Sequence, residues 1–180
     1  MWAIGVNADV INSLENCWEN QTPVDEFVHK KMIDIFRLYL IVGGMPAAVV
    51  SYLKRNNLQD VINSQKEIIR LYRKDISQYD SERQLNIKDV FDLIPSELNS
   101  KSKRFFIKSL DEKARAEMFK NEFLWLKDAG VAIPVFNVEE PKLPLKLASS
   151  RNLFKLFPND VGLLASQYSE GVQLKILTGN

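Results

Sequence analysis

Two glycines and a proline, in Val42-Gly43-Gly44-Met45-Pro46-Ala47-Ala48, interrupt a chain whose first eighty or so residues otherwise follow the periodicity of helices. Glycine accepts the left-handed conformation that ends a helix, and proline suits a first helical position, where its missing N–H costs nothing. The segment therefore makes one helix stop and another start within a few residues. It is not a phosphate-binding loop, because no Gly-Lys-Ser/Thr follows it. Spacing alone leaves two readings open. The turn is a tight helix connection and nothing more, or it points backbone and the flat Pro46 ring at a ligand such as an adenine face.

The patterns on either side of this turn predict a first block that is wholly helical. Residues 7–18 fit a short helix, with Val10, Leu14 and Cys17 or Trp18 at spacings of three and four. Thr22 and Pro23 predict a start for a second helix reaching Val42, with Val28, Met32, Ile35, Phe36, Tyr39 and Val42 as its buried stripe. Pro46 opens a third helix through Leu53, broken by Asn56-Asn57. A fourth is predicted over 58–79, with Val61, Gln65, Ile68, Ile69, Tyr72, Ile76 and Tyr79 facing inward.

The polar run 81–86 reads as a linker, and the pattern changes beyond it. A helix over 87–94 is predicted to stop at Pro95, followed by a turn at 96–99 and a small strand at 105–107. A helix over 114–129 turns Phe119, Phe123 and Leu126 inward and ends at Gly130. Strands are expected at 131–138, 145–149 and 153–157, and a helix at about 160–167. Helix, turn, strand, helix, strand, loop, strand is the order of a winged helix. The expected fold is mainly α with a small β component: a helical bundle over 1–80, a winged helix-turn-helix over 86–158, and a helix with linker over 159–180.

Composition excludes several chemistries. With 180 residues, 46% of them apolar, the chain can bury about 70% of its unfolded surface without disulfides. Cys17 is the only cysteine and His29 the only histidine, so no internal disulfide, Cys-rich metal site or His-x-x-x-His zinc site can form. Twenty-four basic residues against twenty-three acidic ones exclude polyanion binding by bulk charge. No signal peptide is present, and the longest apolar stretch is too short to span a bilayer, so a cytoplasmic protein with no membrane partner is expected. The abrupt apolar start and the stop at Leu177-Thr178-Gly179-Asn180 lead to the expectation that both ends are cut.

Local charge is more informative than the total. Lys66, Arg70, Arg73 and Lys74 form a basic stripe on the fourth helix, either a solvated face or a phosphate contact. Lys101, Lys103, Arg104, Lys108, Lys113, Arg115 and Lys120 outnumber Asp111, Glu112 and Glu117 by four around the helix that a winged-helix protein lays in the major groove. Lys113, Arg115 and Lys120 are the candidate DNA contacts, opposed on the same helix by Glu117, Glu122 and Asp128. Carboxylates otherwise fall singly, with no pair for acid–base work; Cys17 reads as core and His29 as surface. No catalytic or metal-ligating residue is predicted.

Several segments together resemble a family of predicted prokaryotic P-loop ATPases of the AAA+ superfamily, close to STAND-type ATPases, with an uncharacterised C-terminal domain. They are Met1-Trp2-Ala3-Ile4-Gly5, Tyr39-Leu40-Ile41-Val42-Gly43-Gly44-Met45-Pro46-Ala47-Ala48-Val49, Ile69-Arg70-Leu71-Tyr72-Arg73-Lys74-Asp75-Ile76-Ser77-Gln78-Tyr79, Phe123-Leu124-Trp125-Leu126-Lys127-Asp128-Ala129-Gly130-Val131, Pro141-Lys142-Leu143-Pro144-Leu145 and Phe154-Lys155-Leu156-Phe157-Pro158-Asn159-Asp160-Val161-Gly162-Leu163-Leu164. The likeness runs along nearly the whole chain in the expected order.

The resemblance implies that residues 1–80 are the helical lid of such an ATPase and that the winged helix follows it. A nucleotide-binding core would precede the lid and a further C-terminal domain would follow; neither a Walker A loop nor an acidic Walker B strand end is encoded here. Gly44-Met45-Pro46 resembles the Gly-x-Pro turn with which STAND-type lids contact adenine, which makes Gly44, Met45 and Pro46 candidate cofactor contacts. Arg70 and Arg73 carry over as candidate phosphate sensors. The implied cofactor is ATP or ADP with magnesium, held by the intact parent and not by this chain alone. The implied partners are the missing core and C-terminal domain. The expected function is thus a non-catalytic ATPase fragment whose winged helix moves with nucleotide state. The rivals are a stand-alone winged-helix DNA-binding regulator and a protein-docking adaptor.

Overall fold

A computed structural model describes residues 7–78, 81–110, 112, 116–145, 148–168 and 171–179. The described chain is mainly helical with a small antiparallel sheet. Its elements are α1 (Ala8–Glu19), α2 (Glu26–Val42), α3 (Pro46–Arg55), α4 (Leu58–Ile76), α5 (Ser81–Asn99), α6 (Lys120–Asp128), β1 (Ala132–Val138), β2 (Ser149–Pro158), α7 (Val161–Gln167) and α8 (Val172–Thr178). Two compact units divide the chain: residues 1–66 with 160–180, and residues 67–159. The chain passes between them inside α4, after Lys66, and again after Asn159. The final helices therefore group with α1, α2, α3 and the start of α4.

In the first unit, α2 begins three residues later than Thr22-Pro23 suggests. Asp25 is its cap: one carboxylate oxygen accepts the Phe27 and Val28 N–H groups at 2.9 and 3.2 Å. A carboxylate satisfies two orphan donors at the positive end of the helix, which a proline-led start cannot match. Gly43, at φ 71°, ends α2, and its N–H closes on the Tyr39 carbonyl at 2.8 Å. Pro46 then opens α3, and Asn56, in the left-handed helical conformation, closes it. Val42, Ala48 and Val61 form the core joining α2, α3 and α4, with Leu38, Met45, Val49, Tyr52 and Leu58 packed around them.

The predicted stripe on α2 is corrected. Val42 is buried, but Val28, Met32 and Ile35 are only half-buried, and Phe36 and Tyr39 are exposed. Helices α7 and α8 pack against α2, with Arg37 beside Gly179. Helix α2 is apolar over a wider arc than one packing partner covers. On α4 the inner face is as periodicity predicts: Val61, Gln65, Ile69 and Ile76 are buried, and Ile68 and Tyr72 half-buried. Tyr79 lies outside the described residues.

In the second unit, the polar run 81–86 is not a linker but the opening of α5. Pro95 does not stop this helix, which continues to Asn99 with the proline inside it. A proline in a helix interior removes one N–H donor and crowds the preceding turn. Here Ile87, Val90, Phe91, Ile94 and Leu98 are buried at spacings of three and four, so packing holds the helix through it. The expected strand at 105–107 is a single pairing, Phe105 N–H to the Phe154 carbonyl at 3.0 Å, followed by a 3-10 turn at Ile107–Ser109. The long helix expected over 114–129 is a 3-10 turn, Ala116–Phe119, leading into α6; residues 113–115 lie outside the described ones.

Of the two strands expected at 145–149 and 153–157, the second lies within β2, which already begins at Ser149; residues 146 and 147 lie outside the described ones. β2 pairs antiparallel with β1 from Ala132↔Pro158 to Val138↔Ser149, with an irregularity between Phe136 and Asn137. The ladder with β1 includes Ser149 and Ser150, so β2 also runs through the gap left between the two expected strands. Phe154 lies at the centre of a ring cluster with Phe105, Phe123 and Phe136, at centroid distances of 5.9, 5.1 and 5.7 Å.

Candidate functional site

The Gly43-Gly44 turn is held from inside by two buried polar side chains, both within the first unit. Gln65, on α4 and 1% exposed, donates through Nε2 to the carbonyls of Ile41 at 2.8 Å and Val42 at 3.1 Å. Those carbonyls belong to the last turn of α2, where no further helical N–H is available. Asp160, 9% exposed, accepts the Gly44 N–H on Oδ2 at 2.6 Å and the Leu163 N–H on Oδ1 at 2.9 Å. One carboxylate thus caps α7 and fixes the turn, through hydrogen bonds strengthened by its charge.

Close approach makes glycine necessary at two positions of this joint. A Cβ at Gly43 would collide with the Asp160 carboxylate, and its φ of 71° is strained for other residues. A Cβ at Gly162 would lie 2.6 Å from Gln65 Nε2 and 2.8 Å from both Gly43 N and Val42 C. At Gly44 there is room, the nearest atom being Asp160 Oδ2 at 3.7 Å.

The residues singled out from the sequence separate into groups. Gly44 is exposed, and its N–H is already taken by Asp160. Met45 is half-buried on the Val42–Ala48–Val61 core and precedes α3 without a side-chain cap. Pro46, at the first position of α3, is exposed. Arg70 and Arg73 belong to the second unit, apart from the turn in the division of the chain. Arg70 binds Glu67 on its own helix at 2.8 and 2.9 Å, and Arg73 binds Asp92 of α5 at 2.7 Å. Both arginines are well exposed, so these pairs are weak. Lys113 and Arg115 lie outside the described residues, as does the side chain of Lys120, whose backbone opens α6.

Sequence reasoning placed Gln65 on an apolar face without asking why a polar side chain stood there, and read Asp160 only as a helix start. A glutamine at a core position is itself the signal, since a buried amide needs partners. Elsewhere, a shallow open cleft runs along α1 past Asn12, Ser13, Asn16, Cys17 and Asn20. Among the described residues no three His, Cys, Asp or Glu side chains group to hold a metal, and no helix is long and apolar enough to cross a membrane.

A family model described as a domain of unknown function, DUF8612, matches residues 33–173, which is most of the chain. The chain belongs to the DUF8612 family. No curated protein and no solved structure matches it. The matched span takes in every part of the joint, from Ile41 through Gln65 to Leu163, together with the whole of the second unit and residues 33–66 and 160–173 of the first.

Proposed function

We propose that this DUF8612 domain is the lid and winged-helix portion of a cytoplasmic P-loop ATPase, with adenine resting on Pro46. The observation that carries the reading is the state of the turn. Its backbone is fixed from the inside by Gln65 and Asp160, while the Pro46 ring stays exposed at the start of α3. A preformed apolar ring on rigid backbone binds a flat base without an ordering cost. It adds to the resemblance of Gly44-Met45-Pro46 to the Gly-x-Pro turn of STAND-type lids. The order α5, 3-10 turn, α6, β1, β2 supports a winged helix in the second unit.

In this reading ATP or ADP, with magnesium, is bound chiefly by a separate core, and the second unit reports nucleotide state by moving with the lid. Core and C-terminal domain are the chain's partners. The 180-residue chain alone hydrolyses no ATP. Arg70 and Arg73, each occupied by a carboxylate, are secondary to Pro46.

The reading frame on either side of the codons for Met1 and Asn180 is the first test. An in-frame Gly-x-x-x-x-Gly-Lys-Ser/Thr loop upstream supports the proposal; a start codon at Met1 with a stop after Asn180 overturns it. Protein expressed from the full frame is then titrated with fluorescent ADP. Loss of ring packing in Pro46→Ala weakens binding by roughly two- to tenfold, the range of a ring contact. Salt-sensitive duplex binding in place of nucleotide binding, lost on changing Lys113, Arg115 or Lys120, transfers the assignment to a DNA-binding regulator.

A further inference from the structure

Asp160 has more contacts to make than a helix cap requires. Capping α7 uses one carboxylate oxygen, on the Leu163 N–H; the other reaches the Gly44 N–H across 116 positions of sequence. The second clamp on the turn, Gln65, reaches back to Ile41 and Val42. Gln65 and Asp160 also stand beside the two points where the chain passes between units, after Lys66 and after Asn159.

Resting on the nucleotide-lid reading, we propose that Asp160 is a positioning residue for the nucleotide turn: its hold on the Gly44 N–H sets the backbone that presents Pro46. The Gly44 N–H then makes no hydrogen bond to the base. That N–H is spent on Asp160, and recognition falls to the Pro46 ring.

Asp160→Asn separates positioning from capping. Asparagine caps helices as well as aspartate does, so a residue that merely caps α7 is rescued by it. The carboxamide has one oxygen where the two N–H groups now meet two, so with that oxygen on Leu163 its NH2 faces the Gly44 donor. Hydrogen exchange of the Gly44 and Leu163 amides is measured in the 180-residue chain, and fluorescent ADP binding in protein from the full reading frame. In Asp160→Asn, Gly44 exchange is expected to rise about tenfold or more, as for loss of a charge-assisted bond, with Leu163 protected. ADP affinity falls by a similar factor. Asp160→Ala loses both protections.

Unchanged ADP affinity in Asp160→Asn, while Pro46→Ala still weakens binding, overturns the positioning role and leaves the lid reading intact. Unchanged Gly44 exchange also overturns it. Wild-type protein that binds no adenine nucleotide overturns the lid reading and the inference with it.

Discussion

Replacing Gly162 by alanine sets helix propensity against packing, with opposite signs. Gly162 lies inside α7 and its φ is not positive, so intrinsic preference alone makes alanine more stable there by roughly 1 kcal/mol. The joint says otherwise. The new Cβ would stand 2.6 Å from Gln65 Nε2 and 2.8 Å from Gly43 N and Val42 C, and two of those three atoms are backbone. Overpacking of this kind costs about 1–3 kcal/mol. Displacing Gln65 also strips donors from the buried Ile41 and Val42 carbonyls, at about 1–3 kcal/mol each if fully lost. With partial loss and the propensity gain offset, Gly162→Ala should destabilise by about 2–4 kcal/mol. At a urea slope of about 2 kcal/mol/M, the midpoint followed by far-UV circular dichroism falls by roughly 1–2 M with its slope unchanged. Gly44→Ala is the control, because its Cβ meets only Asp160 Oδ2 at 3.7 Å, and its midpoint should hold within about 0.5 kcal/mol. A Gly162→Ala chain as stable as wild type, or more so, refutes the close approach and the joint built on it.

Three further outcomes follow from the same packing. Gln65→Leu keeps the volume but leaves two buried carbonyls without donors, and should cost about 2–4 kcal/mol in urea melts; a neutral result would mean water reaches Ile41 and Val42. Phe154→Ala removes the ring that touches Phe105, Phe123 and Phe136, for a loss of about 3–5 kcal/mol, measured likewise; less than 1 kcal/mol would show that the cluster collapses over the gap. Burial raises the Tyr168 pKa above its ordinary 10.0, so its share of stability is full below that pH and is lost as pH rises through the higher folded value. Tyr168→Phe should flatten that alkaline decline in a pH series of thermal melts, and an unchanged decline would assign it to other groups.

How much of this was legible depended on whether a decision was local. The stop at Gly43, the start at Pro46 and the inner face of α4 rest on residues within a turn of one another, and periodicity finds them. Pro95 was misread because its cost is local while its compensation, the buried Phe91, Ile94 and Leu98, is tertiary. The gap expected before residue 153 was misread similarly, since the start of β2 is held by pairing with β1. On α2 the periodic stripe is present, but periodicity cannot say how much of it finds a partner: Val42 is buried, while Phe36 and Tyr39 stay exposed. The candidate site was half legible. Its glycines and proline announce a special backbone, whereas Gln65 and Asp160 join them only through folding over long sequence separations.

That long-range dependence makes residues far apart in the sequence depend on one another. Gly43 must lack a Cβ because Asp160 occupies its place, and Asp160 is carried there by α7, whose second residue, Gly162, lies against Gly43 and Gln65. Gln65 in turn holds the carbonyls that Gly43 leaves at the end of α2. A larger residue at either glycine displaces a clamp, and loss of either clamp frees the backbone the glycines shape. The Gly43-Gly44 turn and residues 160–163 therefore form one physical unit written at two ends of the sequence, with Gln65 as its third part. Substitutions within it should couple strongly. In a double-mutant cycle, Gly162→Ala and Gln65→Ala should together cost less than the sum of the two alone by about 1 kcal/mol or more, since the shortened side chain removes the atom the new methyl meets at 2.6 Å. Strict additivity would mean that the two residues act apart, and that the turn is held at Asp160 alone.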